Sequence, residues 1–186
     1  MTSTQRDIEV SYDVSNEFFR LWLDENMHYT SASFLTGEET LEQAQIQKCQ
    51  ILYDYAEMTP DKLLLDVGCG WGANLQFHVL DKGTKAAHGI TLSPQQADEI
   101  RRRELPGVKI WVVDYKDFEP EVKYDALQSI EMIDHLCSPA QAREGKAVDL
   151  YRTYFEKLAR WVKPGACFGF QAILRNVVPR RRRDLE

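Results

Sequence analysis

The sequence predicts an α/β domain of Rossmann-like type, with a mainly parallel sheet and helices on both faces. Two observations predict it: strand-like and helix-like segments alternate from Leu63 onward, and the first apolar run stops at a glycine-rich turn. The size agrees, because 186 residues suit one domain with a substantial core. Hydrophobic residues make up 44% of the chain and charged residues 28%, an ordinary globular composition. With 23 Lys and Arg against 29 Asp and Glu, the net charge of −6 disfavours broad electrostatic binding to nucleic acid. No apolar run reaches the length of a membrane span, and residues 1–10 lack the apolar core of a secretory signal. A cytoplasmic protein is therefore expected. Cys49, Cys69, Cys137 and Cys167 stand far apart with no CxxC pair, which argues against a zinc site or a disulfide scaffold, so no metal is expected.

Ser15 is placed to cap a short helix carrying Phe18, Phe19, Leu21, Trp22 and Leu23. A second helix starts at the capping box Thr40 to Gln43, turns Leu41, Ala44, Ile51, Leu52 and Tyr55 to one face, and is ended by Thr59-Pro60. Residues 63–67 read as a buried strand, 73–81 as a helix and 85–90 as a second strand. Ser93-Pro94-Gln95-Gln96 supplies an N-cap, a proline at N1 and a capping-box glutamine for the next helix. Residues 108–113 and 126–130 read as third and fourth strands. A longer helix runs through Val148, Tyr151, Tyr154, Phe155, Leu158 and Val162, with Lys163-Pro164-Gly165 as its stop and 167–174 as a fifth strand.

The segment Asp66-Val67-Gly68-Cys69-Gly70-Trp71-Gly72 joins the first strand to a helix, where glycines let the backbone turn tightly and approach a ligand. Its GxGxG spacing differs from the dinucleotide GxGxxG, and the second strand ends in Thr91 rather than an acidic residue, so NAD is the weaker reading. Asp66 would repel a pyrophosphate but favours an ammonium or sulfonium group, and S-adenosylmethionine carries both. A ligand-free glycine turn is the bland alternative.

Residues 65–72, 89–96 (Gly89-Ile90-Thr91-Leu92-Ser93-Pro94-Gln95-Gln96) and 129–135 (Ser129-Ile130-Glu131-Met132-Ile133-Asp134-His135) resemble the cyclopropane fatty acid synthase-like, or mycolic acid cyclopropane synthase-like, methyltransferases. Tyr12-Asp13-Val14-Ser15-Asn16-Glu17-Phe18-Phe19 and Met27-His28-Tyr29-Thr30-Ser31-Ala32 resemble that family's N-terminal segment, and the likeness spans roughly residues 10–175. It implies a class I methyltransferase that binds S-adenosylmethionine and releases S-adenosylhomocysteine. By the same resemblance, Tyr29 contacts the cofactor, Gly68, Gly70 and Gly72 form the turn around its methionine part, and Thr91, Leu92 and Gln96 meet ribose and adenine. Asp114 and Tyr115 fall at the adenine and Ile130 near the sulfonium. The implied division is an N-terminal helical segment over the cofactor (1–58), a core (59–178) and an Arg-rich tail (179–186). Family members continue beyond this point, so a C-terminal, acceptor-side part is expected to be missing.

Cyclopropane synthases of this family hold a bicarbonate with Cys, Glu, His and Tyr. Ser31, Asp134 and Gln171 stand at the first three positions, and the tyrosine position falls past residue 186. This altered set predicts methylation without ring closure. Related amine N-methyltransferases act on the acceptor with Glu and His in the segment of Glu131 and His135, and imidazole has the basicity for that work. The expected acceptor is thus the carbon of an unsaturated lipid or polyketide-type product. Transfer to a small amine and a non-catalytic cofactor-binding remnant are the alternatives. The bland readings are that Glu131 binds the surroundings of the cofactor and that His135 caps a helix. His78 and His88 read as core or surface groups, His28 borders the cofactor segment, and Phe18, Phe19, Trp22 and Tyr29 read first as packing. Arg101-Arg102-Arg103 reads as a solvated helix face. Arg180 to Arg183 would suit peripheral contact with an anionic lipid surface, although a solvated run is the simpler account.

Overall fold

The apolar run at Leu63 forms the central strand β1 (Leu63–Val67) in a computed structural model that describes residues 16–173. Side chains alternate across a strand. Leu65 and Val67 therefore enter one core and Leu64 the other. With β2 (Ala86–Thr91), β3 (Val108–Val112), β4 (Tyr124–Ile130) and β5 (Val162–Gln171), the sheet order is β3-β2-β1-β4-β5, and every pairing is parallel. The order reverses between β1 and β4, which opens a crevice at the carboxyl ends of those strands.

The helices are α1 (Asn16–Arg20), α2 (Leu41–Tyr55), α3 (Ala73–Gln76), α4 (Pro94–Arg102), α5 (Pro139–Arg143) and α6 (Ala147–Trp161). Tyr154, Leu158 and Trp161 of α6 pack with Leu65, Val67 and Leu127 on one face of the sheet. Leu75 of α3 and Ile100 of α4 pack with Leu64, Ala87 and Ala126 on the other. The doubly covered parallel sheet matches the expected fold class.

Several elements differ in detail. α1 stops at Arg20, so Leu21, Trp22 and Leu23 follow it as turns rather than helix, and Phe19 alone of its aromatics is buried. The Thr40–Gln43 capping box forms as expected, but the buried face of α2 is Ala44, Gln45, Lys48, Cys49 and Leu52, while Leu41 and Tyr55 are exposed. Two polar groups turn inward because Thr30 receives them: Gln45 Nε2 donates to its carbonyl at 2.8 Å and Lys48 Nζ to its hydroxyl at 2.7 Å. α2 ends ahead of Thr59-Pro60, and Glu57 turns the chain with φ 47°. α3 widens into a π turn over Phe77–Asp81.

α6 passes directly into β5, so Lys163-Pro164-Gly165 lies inside the strand. It occupies the irregularity between the Tyr124–Val162 and Ala126–Cys167 pairs, where a proline breaks no regular ladder. Arg103 is largely enclosed, unlike its neighbours, because it approaches buried Glu99, which also binds Arg20 and Arg102. Ser15, the 12–15 motif, Leu174 and the 179–186 tail lie outside the described residues.

Candidate active site

The turn after β1 places three glycines in left-handed conformation: Gly68 at φ 84°, Gly70 at 53° and Gly72 at 78°. Gly68 and Cys69 both donate their amides to the Ile90 carbonyl at 3.0 Å, which ties the turn to the end of β2. A Cβ on Gly72 would come 2.7 Å from Ile100 Cγ1, whereas one on Gly70 would meet nothing within 4 Å. Gly70 borders a cavity of about 480 Å³ at the carboxyl edge of the sheet. Ligand pockets commonly span about 300–1,000 Å³.

Tyr29, Asp66, Gly68, Gly70, Thr91, Leu92, Gln96, Asp114, Tyr115 and Ile130 all line that cavity, as do Glu131, Asp134 and His135. Gly72 does not line it; it starts α3 and makes room for Ile100. Ser31 and Gln171 are also absent from the lining, and both join the site through Glu131. Gln96 departs from its expected capping role. Ser93 Oγ accepts the Gln96 amide, but Gln96 Oε1 accepts the Thr91 hydroxyl at 2.7 Å instead of returning to the Ser93 amide. The Ser93 amide donates to Thr91 Oγ1. Tyr29 stands against Phe19 and Trp22, with Trp71 of the glycine turn beneath Phe19 at 4.7 Å between ring centres.

A buried polar floor underlies the cavity. Asn74 Nδ2 donates to Asp66 Oδ2 at 3.0 Å and to Gln128 Oε1 at 2.6 Å, and His78 Nε2 meets the same Gln128 oxygen at 2.9 Å. Asp66 Oδ1 and Asn74 Oδ1 are buried with no hydrogen-bond donor among the described residues. Burial pushes the Asp66 carboxyl up to about 6, against the lowering effects of Asn74 and Lys48. His28 also borders the cavity. Its Nδ1 lies 2.8 Å from Asp24 Oδ2 and its Nε2 3.3 Å from Cys49 Sγ, and burial lowers its pKa. Burial pushes the Cys49 thiol up to about 12, so this Asp–His–Cys row braces the segment and holds no ready thiolate. His78 and His88 are core groups, each lowered to about 4 by burial.

Sequence reasoning missed Lys48, Asn74 and Thr30, all of which line the cavity. The available signal was the spacing of Lys48 between Ala44 and Leu52 on one helical stripe.

Glu131 caps β4 with φ 56°, a strained setting for a residue with a Cβ. Its Oε1 accepts the Ser31 amide and Gln171 Nε2, each at 2.8 Å, and its own amide donates to the Gln171 carbonyl at 2.8 Å. The carboxylate thus fastens the N-terminal segment to the end of β5. Asp134 and His135 occupy an exposed 3-10 turn (Ile133–His135) on the rim, and Asp134 Oδ2 accepts the Ile173 amide at 3.2 Å.

A parallel sheet in this order, with a glycine turn after β1 and a carboxylate-lined crevice at its carboxyl edge, defines the Rossmann-like methyltransferase fold. The family model for Mycolic acid cyclopropane synthetase matches residues 1–184, and the chain belongs to that family. "Probable fatty acid methyltransferase" of Pseudomonas putida is 37% identical over 134 residues, 69% of this chain and 34% of that protein. The cyclopropane synthase MmaA2 from Mycobacterium tuberculosis superposes with a TM-score of 0.77 at 26% identity, over 90% of this chain and 56% of that one. Mycolic acid cyclopropane synthase CmaA1 complexed with SAH and CTAB gives 0.75 at 27% identity, over 88% and 55%. The chain therefore spans only about a third to just over half of the relatives it matches. Among the described residues no helix is long and apolar enough to cross a membrane, and no group of three or more His, Cys, Asp or Glu is arranged to hold a metal.

Proposed function

We propose that this chain is the cofactor-binding part of a cytoplasmic S-adenosylmethionine-dependent methyltransferase that acts on carbon of an unsaturated lipid or polyketide-type product. One observation carries the reading: the cavity floor holds two buried acceptors without donors, Asp66 Oδ1 and Asn74 Oδ1, beside the open space over Gly70. An acceptor-rich floor fits a cationic ligand, and the room fits a nucleoside. When bound, S-adenosylmethionine supplies an electrophilic methyl group on a sulfonium and leaves as S-adenosylhomocysteine. Tyr29, Asp66, Gly68, Gly70, Thr91, Leu92, Gln96, Asp114, Tyr115 and Ile130 hold it, and Gly72 shapes the turn. The proposed division sets residues 1–58 over the cofactor, with 59–178 as the core and 179–186 as a tail; of these, 1–15 and 174–186 lie outside the described residues. The relatives named above, and the SAH and CTAB held by one of them, support both cofactor and lipid acceptor.

Displacement at a sulfonium depends on alignment and on managing charge. Asp134 and His135 stand on the rim to receive a proton. The Ser31 amide and the Gln171 side chain are the donors a small anion would use, and both are engaged by Glu131. A carboxylate fixed to the chain therefore replaces a bound bicarbonate, which supports methylation without ring closure. Incubation with methyl-labelled cofactor and a panel of cis-alkene lipids and amines, read by mass spectrometry, tests this. The expected product carries label on carbon, contains no ring and has a yield indifferent to added bicarbonate. Label on nitrogen alone would overturn the acceptor, and a bicarbonate-stimulated cyclopropane would overturn the role of Glu131. Calorimetry that finds NADH bound and S-adenosylhomocysteine ignored would overturn the cofactor.

A further inference from the structure

The segment leading into α2 carries large apolar side chains that the core does not claim. Leu21 is 81% exposed and Leu35 68%, and Trp22, Phe34 and Leu41 are exposed as well. Apolar residues scattered singly over a surface need no explanation, but five within residues 21–41 do. Trp22 and Leu41 line one hollow of about 320 Å³, together with Leu23 and Gln45. Phe34 and Leu35 stand on the loop that enters α2 at Leu41, and that loop is built to hold its shape. The Glu39 carboxylate accepts the amides of Leu35 at 3.0 Å and of Thr36 and Gly37 at 2.9 Å, which holds its pKa down at about 2. The Ser33 amide ties the other end of the loop to the Ala44 carbonyl at 3.1 Å. Phe34 and Leu35 are thus presented to solvent by an ordered loop, with its ordering entropy already lost before any partner arrives.

Charge selects the partner. Residues 16–42 hold Glu17, Asp24, Glu25, Glu38, Glu39 and Glu42 against Arg20, and Arg20 is bound to Glu99. An anionic membrane or an acidic protein would be repelled, and a second copy of this chain would bring the same negative charge against itself. A zwitterionic lipid surface offers apolar depth without a net opposing charge, and tryptophan with leucine suits its interface. The hollow gives such a contact a use, because His28, Tyr29, Thr30 and Glu131 line both it and the cofactor cavity. We infer that Leu21, Trp22, Phe34, Leu35 and Leu41 form a docking patch for a zwitterionic lipid surface, with the hollow receiving a lipid chain one wall away from the cofactor cavity. The inference rests on the lipid acceptor proposed above for its purpose and adds where that lipid is met.

Flotation of the full chain with phosphatidylcholine vesicles tests it. No cofactor is present, so failure here leaves the methyltransferase reading standing, and failure to transfer methyl leaves the lipid contact standing. Wild type should float with vesicles that contain no anionic lipid. Burial of one leucine side chain is worth about tenfold or more in a partition coefficient. Leu35→Ser and Leu21→Ser should accordingly each weaken binding by about that factor. Leu80→Ser, at an exposed leucine of the π turn, should leave it unchanged. Circular dichroism checks the fold of each variant, and two separate positions keep the test decisive should one misfold. A wild type that floats with no vesicle overturns the inference. Binding that needs anionic lipid and survives both substitutions also overturns it and moves the contact to the Arg180 to Arg183 run. A lipid-free dimer that Leu35→Ser dissociates would overturn it in favour of a second copy of the chain.

Discussion

Asp66 answers to two opposing influences. Burial holds its carboxyl up at about 6, while the Asn74 amide and the Lys48 charge favour the ionised form. A ligand carrying an ammonium or sulfonium needs that ionised form, so its affinity should rise with pH as Asp66 loses its proton. Calorimetry should show S-adenosylhomocysteine binding strengthening from roughly pH 5 to 7, and Asp66→Asn should flatten the profile and weaken binding at the upper end. Asp66 was readable from sequence because a carboxylate at the end of an apolar strand, next to glycines, has few structural uses. Lys48 was not, because a lysine within a helix is ordinarily solvated and only the facing Thr30 reveals its direction. Gln96 was misread for a related reason: a capping box and a bond to Thr91 demand the same spacing, and only the fold decides which oxygen is nearer.

The glycine turn separates shape from binding within one short element. At Gly72 a methyl group would be driven into Ile100 and the backbone is left-handed as well, so Gly72→Ala should destabilise by about 2–4 kcal/mol. At Gly70 the added methyl meets no protein atom. Gly70→Ala should thus destabilise by only about 1–2 kcal/mol, while its methyl intrudes on the cavity and weakens S-adenosylhomocysteine binding. Urea denaturation beside calorimetry checks both, and equal effects on stability would contradict the division. At this scale the strands and the main helices were legible, since apolar runs and caps are local signals. The π turn at Phe77–Asp81 and the early end of α1 were not, because they follow from how a helix meets its neighbours. The strand identity of Pro164 also escaped, as a Lys-Pro-Gly stop is indistinguishable locally from a bulged strand start.

Across the molecule, burial of neutral histidine couples the fold to acidity. His78 and His88 are each held down at about 4, while in the unfolded chain they take protons near 6.5. The unfolded state therefore binds more protons between those values, and the stability these groups contribute above roughly pH 6.5 is lost as pH falls toward 4. Asp66 runs the other way, since its raised pKa lets the folded state take a proton first, but that one carboxyl opposes both imidazoles and His28, which burial also lowers. Urea midpoints measured over this range should decline toward acid, and a flat profile would refute the account. The same interior offers a means of observation. Gln128 Oε1 can only accept, so His78 must carry its proton on Nε2, leaving Nδ1 to accept from the Thr84 hydroxyl 3.5 Å away. Since Gln128 and Asp66 share the Asn74 amide, His78 lies at the far end of a hydrogen-bonded line that begins at the cavity. Its imidazole nitrogens form a natural nuclear-resonance probe of the vacant and occupied states, read from a residue that does not itself line the cavity.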